Sequence, residues 1–140
     1  NAMDHGVEAP EERELAGKPR AAAIVLGCAT TELHHELQVK DDGKGIDWDR
    51  IAQKAADHGL PHASLEELFQ ALVSDGLSSR DQHDHISGQG MGMASVQRAV
   101  QDLGGELSVE SAPGQGTCWT IRIPHPKPLS ASLERSGTDG

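Results

Sequence analysis

Asp41, Asp42, Gly43, Lys44 and Gly45 close an alternating apolar run and stand directly before a helical stretch, and their types suit one kind of chemistry. The Asp41 carboxylate can accept a hydrogen bond from the amine of a purine. Gly43 and Gly45 have no Cβ, so the backbone there can approach a flat ring and turn sharply. The same residues also make an ordinary strand-to-helix turn, since Asp and Gly are the usual turn formers. A second glycine cluster, Gly88, Gly90 and Gly92 around Gln89 and Met91, opens another helix. Free amides at a helix N-terminus attract an anion. One loop suited to a base and another suited to phosphates together indicate a nucleotide site. A Walker-type loop is excluded because no glycine cluster is followed by Lys and then Ser or Thr. A Rossmann fingerprint fails because Gly88 follows a polar stretch rather than a strand.

These loops need a sheet and helices to hold them, and the chain predicts both. Residues 1–8 read as the end of a helix whose beginning is absent. Residues 9–17 read as a short complete helix, with Pro10 at its start, acids in its first turn and Gly17 past its end. Residues 22–29, rich in Ile, Val and Leu, predict a buried strand. Leu33, His35, Leu37 and Val39 alternate as a second strand that delivers Asp41 to the sheet end. Asp47 is placed as an N-cap, and Gly59-Leu60-Pro61 ends the helix it starts. Ser64 with Glu67 has capping-box spacing ahead of a helix whose apolar face is Leu65, Leu68, Phe69 and Leu72. Residues 74–90 are polar and long for a connection inside a compact domain, which suits a nucleotide lid. Met93, Val96, Val100 and Leu103 then share a helical face that Gly104-Gly105 stops. A hairpin follows, turning at residues 113–116, with Trp119, Ile121 and Ile123 on the returning strand.

Composition narrows the partners. The 140 residues suit one domain, and the aromatics are Trp48, Phe69 and Trp119 alone, so the core must be aliphatic. A formal charge of -10 argues against nucleic acid or an anionic membrane surface as a partner. Cys28 and Cys118 show no CxxC spacing, which favours a reduced, cytoplasmic setting over a disulfide scaffold. No stretch is long and apolar enough to read as a membrane span. The histidine pairs 34/35, 58/62 and 83/85 invite a metal reading, but Gly59 and Pro61 interrupt one of them and no cysteine pair supports any. Residues 126–140, rich in Pro, Ser, Gly and charge, read as a disordered tail or linker, leaving residues 1–125 as the domain.

The order of these motifs resembles the ATP-binding domain of sensor histidine kinases, most closely the CheA-type chemotaxis kinases. Asn1-Ala2-Met3-Asp4-His5-Gly6-Val7-Glu8 resembles the asparagine box, and Glu11-Glu12-Arg13 to Gly17-Lys18-Pro19 continues it. Asp41 to Gly45 resembles the first glycine box. Asp75 to Asp81 resembles the segment after the phenylalanine box, Ser87 to Met93 the second glycine box, and Gly114-Gln115-Gly116-Thr117 the closing hairpin. Two positions depart from the pattern: Gln89 stands where a basic residue is usual, and Val73 where an aromatic is common.

The resemblance implies a two-layer α/β sandwich of the Bergerat type, N-terminally truncated, with a mixed β-sheet, helices packed on one face and ATP beneath a lid. It implies that Asn1 holds Mg²⁺, that His5, Arg50 and Lys54 lie near the phosphates, and that Asp41 accepts from adenine. Gly43 and Gly45 would lie beside the base and Gly88, Gly90 and Gly92 beside the phosphates. Arg50 and Lys54, four apart on a helix, also read as a solvated face. The implied activity is transfer of the ATP γ-phosphate to a histidine on another domain, with a response regulator downstream. A non-catalytic nucleotide-binding or interaction module is the alternative.

Overall fold

The computed structural model describes residues 6–74, 77 and 92–125. In chain order the elements are α1 (Pro10–Leu15), β1 (Ile24–Thr30), β2 (His34–Asp41), α2 (Trp48–Asp57), α3 (Leu65–Val73), α4 (Met93–Asp102), β3 (Glu106–Ser111) and β4 (Thr117–Pro124). The strands form one sheet in the order β1-β2-β4-β3, and every described pairing is antiparallel. Helices layered on this sheet give the two-layer α/β sandwich expected from the sequence.

The predicted caps are present. Asp47 accepts the Arg50 N–H at 3.0 Å, and Ser64 Oγ accepts the Glu67 N–H at 3.2 Å. Gly17 and Gly104, just past their helices, have φ of 74° and 68°, a region that L side chains rarely adopt.

The core follows from period-2 alternation in the strands. Leu107 pairs with Ile121 and Leu37 with Ile121, while Val109 and Val39 both pair with Trp119. One sheet face is therefore apolar. Val100 and the half-buried Val96 and Met93 of α4, with Val73 and Phe69 of α3, pack onto Leu107, Trp119 and Ile121. A smaller cluster joins α2 to α3 through Ala55, Ala71 and Leu77, backed by Ile51 and Leu60.

One expectation is corrected. The first strand was read from its apolar run as buried, but β1 is largely exposed, with Val25 at 59% and Leu26 at 72% of full exposure. β1 is an edge strand, and the described helices gather over β3 and β4 instead. An apolar run reports β propensity, whereas burial depends on what lies over the strand.

Candidate functional site

Asp41 is the last residue of β2, two residues beyond Val39, so its side chain emerges on the same helix-covered face. The adjoining row across the sheet is Ile24 on β1, Thr117 at the start of β4 and Ser111 at the end of β3. Apart from Ile24, the apolar face thus ends in polar residues. The Asp41 carboxylate is buried, and its Oδ1 accepts the Gly43 N–H at 2.9 Å and the Thr117 N–H at 3.3 Å. Among the described residues both bonds fall on Oδ1, and Gln97 Oε1 is the only buried side-chain oxygen or nitrogen without a partner. Among the described residues Oδ2 has no such bond and remains an acceptor.

The loop after Asp41 is fastened from two sides. Gly114 N–H donates to the Lys44 carbonyl at 2.8 Å, and Ile46 N–H donates to Ser111 Oγ at 2.8 Å, which ties the loop to the β3–β4 turn. Gly45 has φ 79°, and a Cβ there would collide with the Ala112 carbonyl. A Cβ at Gly43 would collide with the Gly6 carbonyl, the group that accepts the Lys44 N–H at 2.9 Å. Gly116, at φ 81°, packs its α-carbon against the Asp41 carbonyl. The glycines are therefore required by close approach of backbone to backbone.

On the other side stands a polar cluster that sequence reasoning did not place in the site. Arg13 is 1% exposed and donates from Nε to the Pro19 carbonyl at 2.7 Å and from Nη2 to Asp42 Oδ2 at 2.7 Å. Its Nη1 reaches Glu8 and the Asp42 carbonyl. Lys18 Nζ donates to Glu8 at 2.6 Å, to the Asp42 carbonyl at 3.0 Å and to the Gly43 carbonyl at 2.8 Å. Two cations thus hold the backbone of the loop. The hydrogen bond from Lys18 keeps the Glu8 carboxyl below its ordinary range, and the Ala23 N–H followed by Arg13 does the same for Asp42. Nothing in the spacing of these residues announces the cluster, since Arg13 and Asp42 lie 29 positions apart.

The remaining predicted residues divide into three groups. Gly92 is the N-cap of α4 with extended backbone. The C-terminal end of α4 lies by Pro124, near Gly104, and Met93 packs in the cluster with Trp119, so the helix runs in the same direction as β4. Its N-terminus accordingly lies at the sheet end that carries Asp41 and Thr117. Arg50 is exposed in the first turn of α2 and Lys54 is half-buried one turn later; chain continuity links both to the loop. Asn1, His5, Gly88 and Gly90, and the proposed lid apart from Ser74 and Leu77, lie outside the described residues. Among the described residues no group of three or more His, Cys, Asp or Glu is arranged to hold a metal ion, and no helix is long and apolar enough to cross a membrane.

The arrangement suits a ligand with a hydrogen-bond donor at one end and an anion at the other. Asp41 Oδ2 would take the donor, and the free amides at the start of α4 would face the anion.

Comparison with known proteins gives the same direction. The family model for the histidine kinase-, DNA gyrase B-, and HSP90-like ATPases matches residues 1–127. The chain is 37% identical over 130 residues to the chemotaxis protein CheA of Bacillus subtilis (strain 168), a match that covers 89% of the chain and 19% of that protein. It is also 37% identical over 146 residues to the gliding motility regulatory protein of Myxococcus xanthus, covering 99% of the chain and 19% of that protein. The chain thus spans about a fifth of the length of these curated relatives. Among solved structures it is similar to the histidine kinase domain from Erythrobacter litoralis EL346 blue-light activated histidine kinase. That match has 21% identity and a TM-score of 0.46, and covers 89% of this chain and 38% of that one.

Proposed function

The chain belongs to the family of histidine kinase-, DNA gyrase B-, and HSP90-like ATPases, and from that premise we propose that it is the ATP-binding, phosphoryl-donating domain of a CheA-like histidine kinase. The observation that carries this reading is the state of Asp41, with one carboxylate oxygen fixed by the Gly43 and Thr117 amides and the other unshared. Adenine presents an exocyclic amine to such an acceptor, whereas guanine presents a carbonyl oxygen at the same place and meets repulsion. Gly43 and Gly45 allow the close backbone packing that holds the loop beside Asp41 in place. The phosphates would extend toward Gly92 and the start of α4, and the family resemblance adds Gly88, Gly90, His5, Arg50 and Lys54 as the groups that would serve them. Mg²⁺ would be held by the Asn1 amide oxygen and by phosphate oxygens, because the ion prefers few protein ligands and hard oxygen donors.

In this reading the chain's residues bind and orient ATP, and the γ-phosphate passes to a histidine on a separate domain, with a response regulator as the later acceptor. Calorimetric titration with ATP and with GTP, each with and without Mg²⁺, tests the assignment. The expected result is saturable ATP binding strengthened by Mg²⁺, with GTP at least about tenfold weaker, the equivalent of roughly one hydrogen bond to a charged group. Equal affinity for the two nucleotides, or no binding of either, would overturn it.

A further inference from the structure

One hydroxyl joins the loop after Asp41 to the β3–β4 turn. Ser111, the last residue of β3, pairs across the ladder with Thr117, the first residue of β4. By strand alternation both side chains fall on the helix-covered face, in register with Leu107 and Trp119. Ser111 Oγ accepts the Ile46 N–H at 2.8 Å, donates to the Gly116 carbonyl at 3.0 Å and stands 3.3 Å from Thr117 Oγ1. A Cβ on Gly45 would come within 3.1 Å of the same oxygen, so the loop packs closely around it.

A hydroxyl has a single proton and two lone pairs. The Gly116 carbonyl can only accept, and at 3.0 Å it would face a bare lone pair if the Ser111 proton turned elsewhere. The proton therefore lies toward Gly116, and one lone pair takes the Ile46 N–H. What remains for Thr117 is the other lone pair, so Thr117 is the donor in the contact between the two hydroxyls. Its proton is committed to Ser111, and Thr117 Oγ1 keeps only lone pairs for a ligand. Thr117 is also buried, and its N–H is spent on Asp41 Oδ1 at 3.3 Å. The sheet end thus carries two acceptors side by side, the Asp41 carboxylate and the Thr117 hydroxyl.

We propose, on the reading of this chain as an ATP-binding domain, that Ser111 is a positioning residue that sets base specificity: by holding the Thr117 hydroxyl as an acceptor, it extends the demand for donors from Asp41 to its neighbour. A purine with an amine at its 6-position offers two N–H donors to the two acceptors. A 6-oxo purine offers an oxygen, which meets lone pairs from both and cannot recruit the Thr117 proton without breaking its bond to Ser111.

The test is calorimetric titration of the full chain with ATP and with ITP, both with Mg²⁺. ITP differs from ATP only at the 6-position and the adjoining ring nitrogen, so the pair isolates this edge of the base. In Ser111→Ala the Thr117 hydroxyl is free to turn and donate to the oxo group. The ratio of ATP to ITP affinity should then fall by about threefold to tenfold relative to the parent, the worth of one neutral hydrogen bond. Losing the Ile46 bond weakens both nucleotides alike and leaves that ratio unmoved, which separates orientation of the proton from bracing of the loop. Thr117→Val supplies the control: with no hydroxyl to orient, adding Ser111→Ala should leave the ratio as it is in Thr117→Val alone. If Ser111→Ala does not fold, Ser111→Cys puts a weakly accepting sulfur in place of the oxygen, and a fall of about twofold to fivefold is expected. An unchanged ratio in the Ser111 variant, or an equal fall with and without the Thr117 hydroxyl, would make Ser111 a brace only and overturn the proposal. A parent chain that binds no ATP would overturn the nucleotide reading and the role of Ser111 with it.

Discussion

Asp41 and Asp42 are the same residue type side by side, yet the structure gives them different work. The Asp42 carboxylate is taken up by Arg13 and by the Ala23 N–H at 2.9 Å. Asp41 shares only Oδ1, and with backbone amides. Asp41→Asn separates turn formation from ligand recognition, because an amide oxygen can replace Oδ1 while the amide nitrogen places donors where Oδ2 was an acceptor. The expected outcome is a small change in thermal stability together with a loss of roughly 1.5–3 kcal/mol in ATP binding. Calorimetry and thermal unfolding of the same sample measure both. A variant that binds ATP as well as its parent would remove Asp41 from the adenine site, and a large loss of stability would make it chiefly a turn residue. Sequence reasoning proposed Asp41 from the spacing of the glycines after it, and the two aspartates differ in their bonds in the way described above. Arg13 and Lys18 were named only within the run that continues the asparagine box, without a role, because charges that meet across the fold carry no spacing rule.

At the scale of elements, the β3–β4 turn acts as a brace for the loop after β2, and two glycines in that turn allow the brace to be tested. Gly114 and Gly116 both have positive φ, 73° and 81°. A Cβ at Gly114 meets nothing within 4 Å, whereas one at Gly116 collides with the Asp41 carbonyl. Gly114→Ala should therefore cost only the backbone term, about 1 kcal/mol. Gly116→Ala should cost about 1–3 kcal/mol more, because the loop must also move. Urea unfolding of the two variants measures the difference, and equal costs would show that the close approach is relieved without penalty. The helices were legible because caps and turn residues are local signals, as the bonds at Asp47 and Ser64 bear out. The exposure of β1 was not, since Ile24, Val25 and Leu26 read alike whether a helix covers the strand or not.

The whole molecule depends on the polar cluster more than its position suggests. α1 buries no apolar side chain; its one buried residue is Arg13, and Leu15 is 91% exposed. The helix is therefore docked on the sheet by Glu8, Arg13, Lys18 and Asp42, and the same cations hold the carbonyls of Asp42 and Gly43. Both carboxyls have folded-state pKa values below their unfolded ones. In the acidic window the unfolded chain accordingly binds more protons than the folded chain, and stability rises with pH through that window. The contribution is fully present above the unfolded carboxyl range of about pH 4 and is lost as pH falls through the lowered folded values. Thermal unfolding from pH 7 to pH 2.5 should show this acid limb in the parent. Asp42→Asn should be less stable at neutral pH and show a flatter limb, because part of the proton linkage is gone. Parallel limbs in the two proteins would place the linkage on other carboxylates. The cluster also fixes the loop beside Asp41, so ATP binding measured at the foot of the limb should fail before the sheet unfolds. That order would appear as loss of nucleotide binding at a pH where the β-sheet circular dichroism is still intact.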